Sequence, residues 1–188
     1  VASQLEAVLS DLNVTAIKIG MVPNAEIARA IAQQIIIYKK EHECAVIYDP
    51  IMISTSGRRL MEEDCIQTVK EVLFPLCTLI TPNIPEAESL LGRRFDQVEE
   101  DGIHLAEKYQ AAFLIKGGHR TVKDLKENEE VTIDYLCYPN GYTEAFKNKK
   151  IESTNLHGTG CTLSSAIASY LVKGYELPQA IKYAKQQV

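Results

Sequence analysis

Four short apolar runs, each ending in a residue with chemistry to offer, constrain this chain more than any other feature. Thr15–Ile19 stops at Gly20, and Ala45–Tyr48 stops at Asp49-Pro50. Thr78–Ile80 stops at Thr81-Pro82-Asn83, and Ala112–Ile115 stops at Lys116-Gly117-Gly118. Between them the apolar spacing turns helical. Asn24 is placed to cap a helix running to about Lys40, in which Ala28, Ile31, Ala32 and Ile35 recur on one face. Further helices are predicted over 62–73, near 85–91 and over 97–109, and at residues 1–10 with Leu5, Val8 and Leu9 together. Buried strands alternating with amphipathic helices make parallel βαβ units, so the expected class is α/β with a mostly parallel sheet.

The remainder reads differently. The charged stretch Lys123–Glu130 is expected to be a solvated loop. Val131–Tyr138 and Tyr142–Lys147 flank Asn140-Gly141, the signal of a two-residue hairpin turn. A helix is predicted from Gly158-Thr159-Gly160-Cys161 to about Lys173, and a last one from near Pro178, a residue tolerated in a first turn. No repeat or linker divides the 188 residues, which are read as one domain.

Parallel strands carry their ligands outside their carboxyl ends. If the four runs are adjacent, Gly20-Met21, Asp49, Asn83 with Glu86, and Lys116-Gly117-Gly118-His119 share one sheet edge. Two carboxylates, an amide, a lysine and accessible glycine amides suit an anionic ligand carrying a metal ion. Gly158-Thr159-Gly160 adds a turn whose N–H groups can converge on a phosphate at a helix N-terminus. Cys161 falls in that helix's first turn, where the dipole favours a thiolate. Each motif also has a plainer reading. Asp49-Pro50 can be a strand stop, Glu86 a first-turn acid, Lys116 a surface strand end, Met21 a packing residue, and G-T-G-C a glycine turn before a core helix.

Composition removes other classes. A net charge of −5 argues against a basic nucleic-acid groove or a polybasic membrane patch, and no apolar run is long enough for a span. Five scattered cysteines without a C-x-x-C pair are neither a disulfide framework nor a zinc set, which points to a reducing cytoplasm. The chain begins at Val1 and stops at Val188 within a helical pattern, so an internal piece of a longer protein is expected.

The ordered set Lys18-Ile19-Gly20-Met21, Asp49-Pro50-Ile51-Met52 with Ser56-Gly57, Thr81-Pro82-Asn83-Ile84-Pro85-Glu86-Ala87, Lys116-Gly117-Gly118-His119 and His157-Gly158-Thr159-Gly160-Cys161-Thr162 resembles the ribokinase superfamily. Within it, the chain resembles the hydroxymethylpyrimidine/phosphomethylpyrimidine kinases of thiamine biosynthesis. The resemblance implies a three-layer α/β/α sandwich and phosphoryl transfer from ATP, with Mg²⁺, to a pyrimidine alcohol and its monophosphate. It also implies a homodimer, and the loss of the family's opening segment and some C-terminal residues.

Carried over by motif, Gly158, Thr159 and Gly160 would form the anion hole, and Cys161 would be the base. Lys116, Asn83 and, through a short match, Lys185 would serve ATP. Asp49 and Glu86 would organise Mg²⁺, and Met21 and Ile51 would line the acceptor pocket. The nearest alternative is a pyridoxal kinase, disfavoured because Ile51-Met52-Ile53-Ser54-Thr55 lacks that subgroup's lid cysteine. A thiol acyltransferase using Cys161 and His157 has no orienting third group, and a non-catalytic binding module is the remote alternative.

Overall fold

The computed structural model describes residues 1–52, 60–117, 121–124, 129–149 and 158–188. Strands β1 (Ala16–Ile19), β2 (Ala45–Tyr48), β3 (Leu79–Ile80) and β4 (Ala112–Ile115) pair in parallel and in sequence order. The sheet then turns antiparallel. β6 (Glu129–Cys137) pairs with β4, with β5 (Thr121–Asp124) and with β7 (Thr143–Lys149), making seven strands among the described residues.

Alternation along the strands sends side chains to two helical layers. On one face Val46, Tyr48, Ile80, Phe113 and Ile115 pack against α2 (Ala25–Tyr38), α3 (Glu63–Val72), α4 (Ile84–Leu91) and α5 (Val98–Tyr109). On the other, Ile47, Leu79 and Leu114 pack under α6 (Thr159–Val172) and α7 (Leu177–Lys185). Helix α1 (Ala2–Asp11) lies outside this core and buries no residue. The predicted three-layer α/β/α arrangement is therefore present. Asn24 caps α2, its side chain accepting from the Ile27 N–H at 3.0 Å.

Two expectations need correction. The charged stretch is not all loop, because Thr121–Asp124 forms β5 and Glu129 begins β6 in register with it. Residues 121–124 find backbone partners at 129–132, on the stretch of β6 that continues past β4, and satisfied backbone groups outweigh polar composition. The hairpin joining β6 to β7 also has a longer turn than a two-residue one. Tyr138 N–H bonds the Tyr142 carbonyl and Gly141 N–H bonds the Tyr138 carbonyl, leaving Pro139, Asn140 and Gly141 between. A two-residue turn needs positive φ at both centres, whereas Pro139 fixes its φ near −65° and starts a type I turn; Gly141, at φ 81°, supplies the left-handed residue that follows.

Candidate active site

Successive strand ends step along one edge. Asp49 N–H bonds the Ile19 carbonyl, Thr81 N–H the Tyr48 carbonyl, and Lys116 N–H the Pro82 carbonyl, each at 2.9 Å. The described members of the four predicted groups therefore share the carboxyl edge. Asp49 lies at its centre, 2 % exposed. Its Oδ1 accepts from Lys116 Nζ at 2.9 Å and from the Thr81 hydroxyl at 3.2 Å. Lys116 remains accessible, its side chain 17 % exposed.

Helix α6 brings its N-terminus onto this pair. Gly158, at φ 81°, turns the chain into the helix. A Cβ added to Gly160 would lie 3.2 Å from Lys116 Nζ and 3.5 Å from Asp49 Oδ2. The first turn of α6 therefore lies against both side chains, and the glycine-bearing turn, the carboxylate and the lysine are one cluster. Thr159 sits on the exposed side of the first turn. Cys161 is half-buried whereas Cys44, Cys65, Cys77 and Cys137 are all buried. It opens on a groove of about 580 Å³ along α6, lined also by Thr162, Ser165 and Tyr170.

Asn83 and Glu86 form a capping box at the start of α4. Asn83 Oδ1 accepts from the Glu86 N–H, and Glu86 Oε2 accepts from the Asn83 N–H, both at 2.8 Å. Burial, the largest influence, pushes the Glu86 carboxyl above the ordinary carboxylate range. The Asn83 amide, the Lys116 charge and the Met52 amide pull the other way, while the Asp49 charge adds to the rise. Glu86 thus serves as the first-turn acid of the plainer reading and also stands in the electrostatic field of Asp49 and Lys116.

The donor set fits a hard divalent cation. Asp49 and Glu86 offer carboxylate oxygens in the same electrostatic neighbourhood, and Mg²⁺ keeps several waters and needs few protein ligands. Among the described residues, no group of three or more His, Cys, Asp or Glu gathers to form an all-protein metal cage.

The other predicted residues fall around this cluster. Ile51 is half-buried, its N–H bonded to the Asp49 carbonyl at 2.9 Å, and Met21 is 52 % exposed beyond β1. Lys185 does not join Asp49. It is paired with Asp134 of β6, and in its hydrogen-bonded orientation the Asn148 amide oxygen accepts from Lys185 Nζ at 3.0 Å. Asp134 also accepts from the Gly117 N–H at 2.8 Å, so it ties the loop after β4 to α7. Sequence reading missed Asp134; the available signal was a lone acid on the Leu136 side of an alternating strand. Thr81, which bonds Asp49, was quoted only as part of a motif. Ser56-Gly57, residues 53–55, Gly118-His119 and His157 lie outside the described residues.

A mixed sheet between two helical layers, with carboxylate, lysine and a glycine-opened helix N-terminus at its carboxyl edge, defines a ribokinase-like protein. Within that class, the sequence profile of the phosphomethylpyrimidine kinases matches residues 1–188, and the chain belongs to that family. It is 39 % identical over 191 residues to the thiamine biosynthesis bifunctional protein ThiED of Geobacter sulfurreducens, covering 100 % of this chain and 37 % of that protein. It is 38 % identical to the hydroxymethylpyrimidine/phosphomethylpyrimidine kinase of Rhizobium meliloti, covering 98 % of this chain and 66 % of that one. This chain thus spans just under two thirds of the length of the Rhizobium kinase and a smaller share of ThiED.

Among solved structures it resembles the phosphomethylpyrimidine kinase of Clostridium difficile at TM-score 0.76 and 34 % identity, covering 100 % of this chain and 73 % of that one. It also resembles an ADP complex of Bacillus subtilis pyridoxal kinase at TM-score 0.79 and 30 % identity, covering 98 % and 66 %.

Proposed function

We propose that the protein transfers a phosphoryl group from ATP to the hydroxymethyl group of 4-amino-5-hydroxymethyl-2-methylpyrimidine, and then to the resulting monophosphate, in thiamine biosynthesis. The convergence of Asp49, Lys116 and Gly160 at the N-terminus of α6 carries this reading. Phosphoryl transfer asks a protein mainly for positioning and charge stabilisation. The amides of Gly158, Thr159 and Gly160 would hold the oxygens of the phosphoryl group in flight, and Lys116 would neutralise part of their charge. Cys161, one residue further along the helix, would accept the proton of the attacking hydroxyl. Asp49 and Glu86 would hold Mg²⁺, directly or through water; when bound, the ion would offset negative charge on the phosphate oxygens.

Asn83 keeps Glu86 in place through the capping box, and Ile51 and Met21 are read as walls of the acceptor pocket. Lys185 would act on the nucleotide side through Asp134 and Gly117. Five free thiols suit a reducing cytoplasm, and a homodimer rests on the resemblance alone.

The test is an ATP-coupled assay of the intact protein with the pyrimidine alcohol, its monophosphate and pyridoxal at equal concentrations. The higher kcat/KM is expected for the pyrimidines. A clear preference for pyridoxal moves the assignment to pyridoxal kinase, and inactivity on all three overturns the kinase reading.

A further inference from the structure

Near the carboxyl edge, on the α6–α7 side of the sheet, Lys116 is paired with Asp49 and Lys185 of α7 with Asp134. Lys18 is a further lysine on that side. Ala16 packs with the α6–α7 core, whereas Ile17 and Ile19 pack with the opposite one, so alternation turns Lys18 and Gly20 toward α6. Lys18 stands opposite Ile47 in β2. Two residues further, the same register sets Gly20 opposite Asp49, whose N–H already bonds the Ile19 carbonyl.

A Cβ built on Gly20 would lie 2.9 Å from Lys18 Nζ. The amine therefore occupies the place of the side chain that Gly20 lacks. Residues paired across adjacent strands start about 4.8 Å apart, so the ammonium sits at the rim beside the root of Asp49. It is half-buried and has no hydrogen-bond or ion-pair partner among the described residues.

We propose that Lys18 holds the phosphate of the monophosphorylated acceptor, and that Gly20 is glycine to keep the amine at that place. The inference rests on the kinase reading above and deepens it. Strand order separates the two ends of the site. Lys116 and the Asp134–Lys185 pair belong to the β4–β6 side, and Lys18 belongs to the β1 side with Met21. A hydroxymethyl acceptor brings no charge. A phosphomonoester brings about two negative charges beside Asp49, Glu86 and the donor's phosphates, and like charges at such range repel. A cation on the acceptor side therefore matters for one substrate and hardly for the other.

The experiment is steady-state kinetics of the intact protein on both acceptors, for wild type, Lys18→Met, Lys18→Arg and Gly20→Ala. Losing one hydrogen bond to a charged group is worth roughly 10- to 100-fold. Lys18→Met should raise KM for phosphomethylpyrimidine by about that factor, with KM for hydroxymethylpyrimidine within about twofold. Lys18→Arg should recover most of the loss, and Gly20→Ala should reproduce part of it by displacing the amine. Equal effects on the two acceptors, or none on either, overturn the inference and leave the kinase reading intact. A wild-type protein inactive on both acceptors overturns that reading, and the inference with it.

Discussion

Cys161 differs from the other four cysteines in its surroundings. Those are sealed in the core, where burial pushes the Cys77 and Cys137 thiols up to about 12, whereas Cys161 is half-buried and lines a groove along α6. Iodoacetamide should therefore modify Cys161 first, read by peptide mapping, and bound pyrimidine should slow it. If Cys161 is the base, Cys161→Ala should lower kcat by about 10²–10⁴-fold while ATP affinity stays near wild type. A folded variant with near-normal turnover would refute the assignment. Residue types at element ends made most of this cluster legible in advance, since Asp49, Glu86 and Lys116 each came after a recognisable strand and Gly160 opened a recognisable helix. Their contacts were not. That Lys116 would be bonded to Asp49, and that both would lie against Gly160, depends on side-chain packing between distant segments.

At the level of elements, the turn joining α4 to α5 is held by two acids, Glu88, which accepts from the Phe95 N–H at 3.1 Å, and Asp101. Asp101 pairs with Arg93 and accepts from the N–H groups of Asp96 and Gln97, the first at 2.8 Å. Burial alone would raise its carboxyl, but those partners outweigh it and hold it below the ordinary 3.8. A depressed pKa contributes stability above the unfolded value and loses it as pH falls through the folded one. Asp101→Ala should thus cost on the order of 1 kcal/mol at neutral pH. The gap to wild type in urea melts should close below pH 3.8, and a pH-independent difference would assign the effect to packing. Helices and parallel strands were readable because their periods repeat over several residues. The β5 strand was not, because its pairing depends on an edge of β6 that no local pattern announces, and Pro139 altered the hairpin turn that Asn140-Gly141 advertised.

On the scale of the whole molecule, the sheet is closed unevenly. Among the described residues β1 pairs only with β2, and Val8 of α1 and Leu12 just after it are exposed, beside β1 in sequence. Unpaired strand edges template association. Residues 1–188 expressed alone should therefore self-associate at micromolar concentration and turn over slowly; light scattering and the coupled assay test this, and a monodisperse, fully active monomer would contradict it. The opposite side of the sheet is strapped down by Asp134. One buried carboxylate holds both the Gly117 amide at the end of β4 and the Lys185 ammonium at the end of α7. Loss of Lys185 would leave the Asp134 charge buried without its counter-ion, and loss of the Gly117 N–H would cost it a hydrogen bond, so the last helix and Gly117 belong to one cooperative opening unit. In hydrogen-exchange terms, the Gly117 amide and the amides of α7 should share a single opening free energy. A nucleotide that settles on the loop would then slow exchange at the far end of the chain without touching it.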